Sequence, residues 1–258
     1  MKKKSVLITS QTVLAEGIRS LWIKDGEIAA AARPGQFLSL YCKDGSRLLP
    51  RPISICEVKA EEELVRMVYR VAGAGTAEFA ALRAGDRIEV LGPLGNGYEL
   101  REGSALLFGG GIGIPPMLEL AKALCEKKGK DFVTAVLGYR DGQTFLAEEF
   151  APYAQVVIAT EDGSKGVRGN VIDAARELSL AADQIYACGP TPMLRGVKAF
   201  AEEKETPAQI SLEERMACGI GACLACVCKT EHPGEHTHVN NARICKDGPV
   251  FDAKEVVL

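Results

Sequence analysis

No apolar run in the 258 residues approaches the roughly 18 that a membrane-crossing helix needs. There is no internal repeat, and no surplus of charge of one sign. The formal net charge is −3, so bulk electrostatics gives no case for a nucleic-acid partner. Hydrophobic residues at 47% and charged residues at 25% exclude disorder, collagen and coiled coil as overall descriptions. The basic start, Lys2 to Lys4, leads into Ser5-Val6-Leu7-Ile8, but Thr9, Ser10, Gln11 and Thr12 interrupt the apolar stretch. No small-residue cleavage site follows, so the segment reads as a first strand rather than a signal peptide. A cytoplasmic protein is expected. A chain of this length buries about 70–75% of its unfolded surface and needs no disulfides for a core. Against that background nine cysteines are unusual, and five of them lie between Cys218 and Cys245. In a reducing compartment such a cluster reads as a metal site.

Three stretches are expected. Residues 1–100 carry short β-branched runs punctuated by Gly and Pro, which predicts a small antiparallel barrel. Its one predicted helix is Thr76–Leu82, with Thr76 as the N-cap. Residues 101–210 alternate strands and helices, which predicts a parallel sheet in a Rossmann-like domain. There Met117, Leu120, Ala121 and Leu124 fall at i, i+3, i+4 and i+7 on a first helix. Residues 211–258 form a Cys-rich tail too short for a core of its own, so a bound metal centre would supply the missing stability.

Cys218-x4-Cys223-x2-Cys226 has the spacing of plant-type [2Fe–2S] loops, and Cys245 is available as the fourth ligand. Gly219, Gly221, Ala222 and Ala225 are small enough for the loop to wrap and turn N–H groups inward. Zinc is the rival metal, but structural zinc sites usually pair their ligands in two short knuckles. Cys228 reads as a buried thiol. His232, His236 and His238 sit among polar residues and read as a solvated insertion before Cys245.

Arg51-Pro52-Ile53-Ser54 opens a strand. Its Arg suits a pyrophosphate and its hydroxyl a flavin ring, although a strand start with a surface Arg explains it equally. Gly73-Ala74-Gly75-Thr76 would bring backbone N–H groups and a helix start to a phosphate. Gly111-x-Gly113-x-x-Pro116 follows a strand and opens a helix, as a phosphate-binding turn requires, with Pro in place of the third Gly. Cys188-Gly189-Pro190 ends a later strand, at the sheet edge where ligands sit. Glu161 and Asp162 end another. A carboxylate there accepts ribose hydroxyls and repels a 2′-phosphate, which favours NAD over NADP.

In this order the motifs resemble the ferredoxin reductase-like flavoproteins over nearly the whole chain. With the Cys tail they look most like the electron-transfer subunits of NAD-linked dihydroorotate dehydrogenase B. The segments most alike are Gly92–Gly97, Glu214–Cys223 and Arg243–Phe251. The resemblance implies an FAD-binding barrel, an NAD domain and a [2Fe–2S] subdomain. It implies FAD contacts from Arg51, Pro52, Ile53 and Ser54, from Val68, Tyr69 and Arg70, and from Gly75 and Thr76. It implies cluster ligation by Cys218, Cys223, Cys226 and Cys245. NAD is expected against Gly111, Gly113, Cys188, Gly189 and Pro190. The implied partner is an FMN-containing catalytic subunit that oxidises dihydroorotate in pyrimidine biosynthesis, in a heterotetramer of two plus two. Electrons would pass from that FMN through the cluster and FAD to NAD+. No general base for dihydroorotate is evident here, so that role is expected on the partner. The alternatives are the small subunit of a related NAD(P)H:ferredoxin oxidoreductase or sulfide dehydrogenase and, from another class, a flavin-binding redox sensor without turnover.

Overall fold

The computed structural model describes residues 2–233 and 238–258. Its first part is a closed six-stranded antiparallel barrel. The strands are β1 (Lys4–Ala15), β2 (Ile18–Lys24), β3 (Phe37–Tyr41), β4 (Arg51–Lys59), β5 (Leu64–Arg70) and β6 (Arg87–Leu94). Their order round the barrel is β1-β2-β5-β4-β3-β6. Alternation is clear in β3: Leu38 and Leu40 are fully buried in the barrel core, which turns Phe37 and Ser39 to the outer face.

Two helices accompany the barrel rather than one. Helix α1 (Gly26–Ala31) is capped by Asp25, whose carboxylate accepts from the Ile28 N–H at 2.9 Å. Helix α2 spans Ala74–Ala81 and has Gly73 as its N-cap. This corrects the expectation for Thr76, which lies one turn inside. Its Oγ1 accepts from the N–H groups of Ala72 and Gly73 at 2.9 and 3.1 Å, so Thr76 satisfies the helix start from the N3 side.

The second part follows as β7 (Ala105–Gly110), α3 (Ile114–Lys128), β8 (Val133–Tyr139), α4 (Ala147–Phe150), β9 (Gln155–Thr160), β10 (Val167–Arg168), α5 (Val171–Glu177), β11 (Gln184–Cys188), α6 (Thr191–Glu203) and β12 (Ala208–Ser211). Pro115 and Pro116 occupy the first turn of α3, where a missing N–H leaves no helical acceptor unsatisfied. Met117, Leu120, Ala121 and Leu124 are all buried.

The tail carries β13 (Val227–Lys229), β14 (Asn241–Arg243) and β15 (Val250–Asp252). Too short for a core of its own, it joins the sheet. Strand β15 pairs antiparallel with β12 and completes a seven-stranded sheet ordered β10-β9-β8-β7-β11-β12-β15. The sheet is therefore parallel except at one edge. The order reverses at β7, which has β8 on one side and β11 on the other. The C-terminal ends of β7 and β11 are where a ligand crevice opens in such a sheet.

Candidate functional site

Two cavities meet where the barrel faces that crevice. The smaller, about 230 Å³, is lined by Pro52, Ile53 and Ser54 from β4 and by Val68, Tyr69 and Arg70 from β5. Phe37, Met216 and Pro249 close it with apolar surface. The larger, about 680 Å³, is lined by Gly111, Gly113, Gly189, Pro190 and Glu161. Arg70, Ile112 and Glu213 border both.

The smaller cavity suits a flat aromatic ring. One wall is Pro52-Ile53-Ser54 of β4 and the other is the end of β5. Arg51 lies over Gly75, where a Cβ would stand 2.5 Å from its Nε. Gly75 thus leaves room for the guanidinium at the first turn of α2. Neither Arg51 nor Arg70 pairs with a carboxylate among the described residues, so both charges are free for an anionic ligand. Arg51, Gly75 and Thr76 do not line the cavity; Arg51 precedes its Pro52 wall and packs on Gly75.

In the larger cavity the glycines act through close approach. A Cβ on Gly113 would come within 2.4 Å of the Cys188 carbonyl oxygen, so only Gly lets the start of α3 pack against the end of β11. Cys188 is 1% exposed and lines neither cavity. Its contribution is the backbone under Gly113, and burial pushes its thiol up. Of the two acids after β9, Glu161 lines the cavity. Asp162 is tied into its own loop, its Oδ1 accepting from the N–H and hydroxyl of Ser164 at 2.9 and 2.6 Å.

Glu213 escaped the sequence reading. It lies two residues beyond the end of β12 and borders both cavities, and burial raises its carboxyl above the ordinary range. A carboxylate at a sheet-strand end is the signal that would have found it. That signal was hidden because β12 is only four residues long and was not recognised as a strand.

The tail gathers the cysteines. All nine cysteines of the chain are free thiols. Cys226 and Cys245 are buried, Cys218 is half-buried and Cys223 is exposed. The loop backbone gathers three of them: neighbouring N–H groups of the loop donate to Cys218 Sγ and to Cys245 Sγ, and the Cys245 N–H donates to Cys226 Sγ. Among the described residues no three His, Cys, Asp or Glu side chains converge on a single ion. Three thiols from one loop with a fourth from Cys245 suit a [2Fe–2S] centre better than a structural zinc site, whose ligands usually pair in two short knuckles. Backbone N–H groups point at the sulfurs. Ile220 and Ala222 donate to Cys218 Sγ at 3.4 and 3.3 Å, Gly221 to Cys245 Sγ at 3.1 Å, and Cys245 N–H to Cys226 Sγ at 3.4 Å. Against the opposing effect of burial, these bonds hold the Cys218 thiol down at about 6. Such a donor-rich loop fits a cluster of sulfide and thiolate.

Positive φ at Gly219 (69°) and Gly221 (83°) gives the loop its turn. Arg243 holds it: its guanidinium donates to both Asp247 carboxylate oxygens at 2.9 Å and to the Gly221 carbonyl at 3.2 Å. Asn96, at the end of the barrel, donates to the carbonyls of Lys246 and Asp247 at 3.2 and 3.0 Å. Gly92–Gly97 and Arg243–Phe251 therefore form one lock. Cys228 donates to the Ala242 carbonyl at 3.6 Å and packs against the core. Of the histidine stretch, His232 and His238 are exposed, and His236 lies outside the described residues.

A barrel whose end faces a Rossmann-like sheet across a shared crevice is the architecture of ferredoxin reductase-type flavoproteins. The ferredoxin NADP+ reductase of Neisseria gonorrhoeae, solved with bound FAD and NADP, has this fold at a TM-score of 0.65, with 15% identity over 83% of this chain and 94% of that one. Residues 107–199 match the oxidoreductase NAD-binding domain, and residues 213–257 match the iron–sulfur cluster binding domain of dihydroorotate dehydrogenase B. The dihydroorotate dehydrogenase B (NAD(+)) electron transfer subunit of Streptococcus mutans is 43% identical over 99% of this chain and 98% of its own length. That of Shouchella clausii is 44% identical over the full length of both. The chain belongs to the family of dihydroorotate dehydrogenase B (NAD(+)) electron transfer subunits. An NADH-dependent reduced ferredoxin–NADP oxidoreductase structure also superposes, with a TM-score of 0.87 and 32% identity over 98% of this chain and 89% of that chain.

Proposed function

We propose that this chain is the subunit that links a dihydroorotate-oxidising partner to NAD+. When bound, a [2Fe–2S] cluster and FAD supply the one- and two-electron chemistry between the partner's flavin and the nicotinamide. The observation that carries this reading is the junction itself. A flavin-sized cavity and a nucleotide-sized cavity share Arg70, Ile112 and Glu213, and a four-thiol loop packs on the barrel strand beside them.

In this reading Arg51 neutralises the pyrophosphate of FAD, with Gly75 and Thr76 shaping the helix start beside it. Ser54 offers its hydroxyl to the flavin ring, which Pro52, Ile53, Val68, Tyr69 and Arg70 enclose. Phe37, Met216 and Pro249 keep water from the ring. Gly111, Gly113, Gly189 and Pro190 let the NAD backbone approach, over the turn that Cys188 ends. Glu161 accepts the ribose hydroxyls and disfavours a 2′-phosphate. Cys218, Cys223, Cys226 and Cys245 hold the cluster. The functional units divide near residues 100 and 210.

The partner is an FMN-containing catalytic subunit, and the assembly is a heterotetramer of two plus two. The tail beyond Arg215 forms part of the contact face. Exposed Ile220 and Leu224 flank exposed Cys223, which supports that placement. We place the protein in the cytoplasm. No helix of the described residues is long and apolar enough to cross a membrane. The greater identity to the dihydroorotate dehydrogenase B subunits favours this reading over the ferredoxin-linked alternative.

Reconstitution with a dihydroorotate dehydrogenase catalytic subunit tests it. Orotate formation coupled to NAD+ reduction is expected, and NADH should bleach the flavin of this chain alone. Bleaching without coupled orotate formation would instead favour the ferredoxin-linked alternative.

A further inference from the structure

Among the described residues two buried side-chain polar atoms have no hydrogen-bond partner, Arg19 Nε and Ser39 Oγ. Ser39 is 1% exposed. A hydroxyl removed from water and left unpaired is destabilising. Folds tolerate such a group chiefly where a bound species completes it.

The surroundings of Ser39 narrow what that species is. Leu38 and Leu40 enter the barrel core, so Ser39 faces outward beneath the tail. It pairs across the β3–β4 ladder with Pro52, and Phe37 precedes it on the same face. Phe37 and Pro52 both line the flavin-sized cavity, whereas Ser39 does not. On its other side is Gly219, the residue after Cys218. A Cβ on Gly219 would stand 2.9 Å from Ser39 Oγ. The hydroxyl therefore lies between the flavin cavity and the first turn of the cysteine loop, and it is nearer the loop. No atom of the described residues takes its proton there, the cysteine sulfurs included. That leaves the sulfides of the cluster the loop would hold.

We propose that the Ser39 hydroxyl donates a hydrogen bond to an inorganic sulfide of the [2Fe–2S] cluster that the cysteine loop would hold, and so tunes the potential of that cluster. This rests on the reading of the four cysteines as a [2Fe–2S] site. A donor to cluster sulfur stabilises the reduced, more negative state and raises the potential. The barrel thereby contributes to tuning a centre whose ligands all lie in the tail. Glycine at 219 serves the same contact, because a side chain there would come between the hydroxyl and the loop.

The test is a redox titration of the FAD- and cluster-loaded chain in complex with its catalytic subunit. Electron paramagnetic resonance follows the reduced cluster, and absorbance follows the flavin. Ser39→Ala is expected to shift the cluster midpoint to lower potential and leave the flavin midpoint in place. Ser39→Thr, which keeps the hydroxyl, is expected to hold the wild-type cluster value. A loaded Ser39→Ala protein with an unshifted cluster overturns the proposal, as does a shift confined to the flavin. Should Ser39→Ala fail to load, Ser39→Thr decides: loading with an unshifted potential supports the hydroxyl, and failure of both overturns it. Wild-type protein without a [2Fe–2S] signal would overturn the cluster reading itself. A wild-type cluster with an indifferent Ser39→Ala would overturn only the role of Ser39.

Discussion

The nucleotide-binding sheet and the cysteine tail lie side by side and are held together by different means. The sheet packs two layers of helix against strands with fully buried aromatics. Phe108 and Phe200, for example, meet edge to face at 5.8 Å. The tail has three strands of three residues each. Two of its buried side chains, Cys226 and Cys245, are the thiols proposed as ligands. It borrows the rest of its order from neighbours: β15 completes the sheet, Asn96 reaches in from the barrel, and Arg243 ties the loop. The contrast teaches that apolar burial suffices for the sheet. The loop of the tail relies on the metal centre it would enclose.

Removing the metal should break this comparison most strongly. Cys226→Ser, or stripping of the cluster by chelator, is expected to abolish the cluster signal. It should expose residues near 218–245 to protease while the barrel and sheet resist, which limited proteolysis with mass mapping checks. Phe108→Ala should act the other way. Loss of a buried phenyl ring costs about 3–5 kcal/mol, read as a lower denaturant midpoint for the whole protein, with cluster content retained below the transition.

A third experiment sharpens the seam between barrel and sheet. Glu119 on α3 accepts the Val58 N–H at 2.8 Å. Burial raises its carboxyl from 4.5 to about 7, against the Val58 hydrogen bond and Lys122, which lower it. The folded state then binds a proton more tightly than the unfolded state. Stability from this group is present at acid pH and falls as pH rises from 4.5 to 7, by roughly 3 kcal/mol. Glu119→Gln should flatten that fall. Denaturant midpoints at pH 5 and pH 8 should show the variant gaining on wild type at the higher pH. The smallest effect is expected from Cys228→Ser. Cys228 is half-buried, bonds the Ala242 carbonyl and packs on the core, so cluster absorbance should stay within a few per cent of wild type.

Much of the site was legible because its chemistry demands particular residues at short spacing. A thiol loop needs Cys with small neighbours, and a crowded βα turn needs Gly113. The N-cap of α2 moved from Thr76 to Gly73 because the Thr side chain serves the helix start equally well from inside the first turn. Helix α1 was missed because six residues of Gly26-Glu27-Ile28-Ala29-Ala30-Ala31 give too little periodicity to register. Glu213 follows a short strand, and β15 is one, each defined by its partners rather than by its own pattern.

The unusual cysteine count, the glycine turns and the order of the motifs were properties of the sequence alone. They determined the architecture, the cofactor classes and the family, because local geometry and ligand chemistry act over a few residues. Tertiary structure alone decided that Gly92–Gly97 and Arg243–Phe251 form one lock, that Glu213 borders both cavities, and that Ser39 faces the cysteine loop. Those are meetings of segments up to about 180 residues apart, which burial, hydrogen bonding and strand pairing bring together only once the chain has folded.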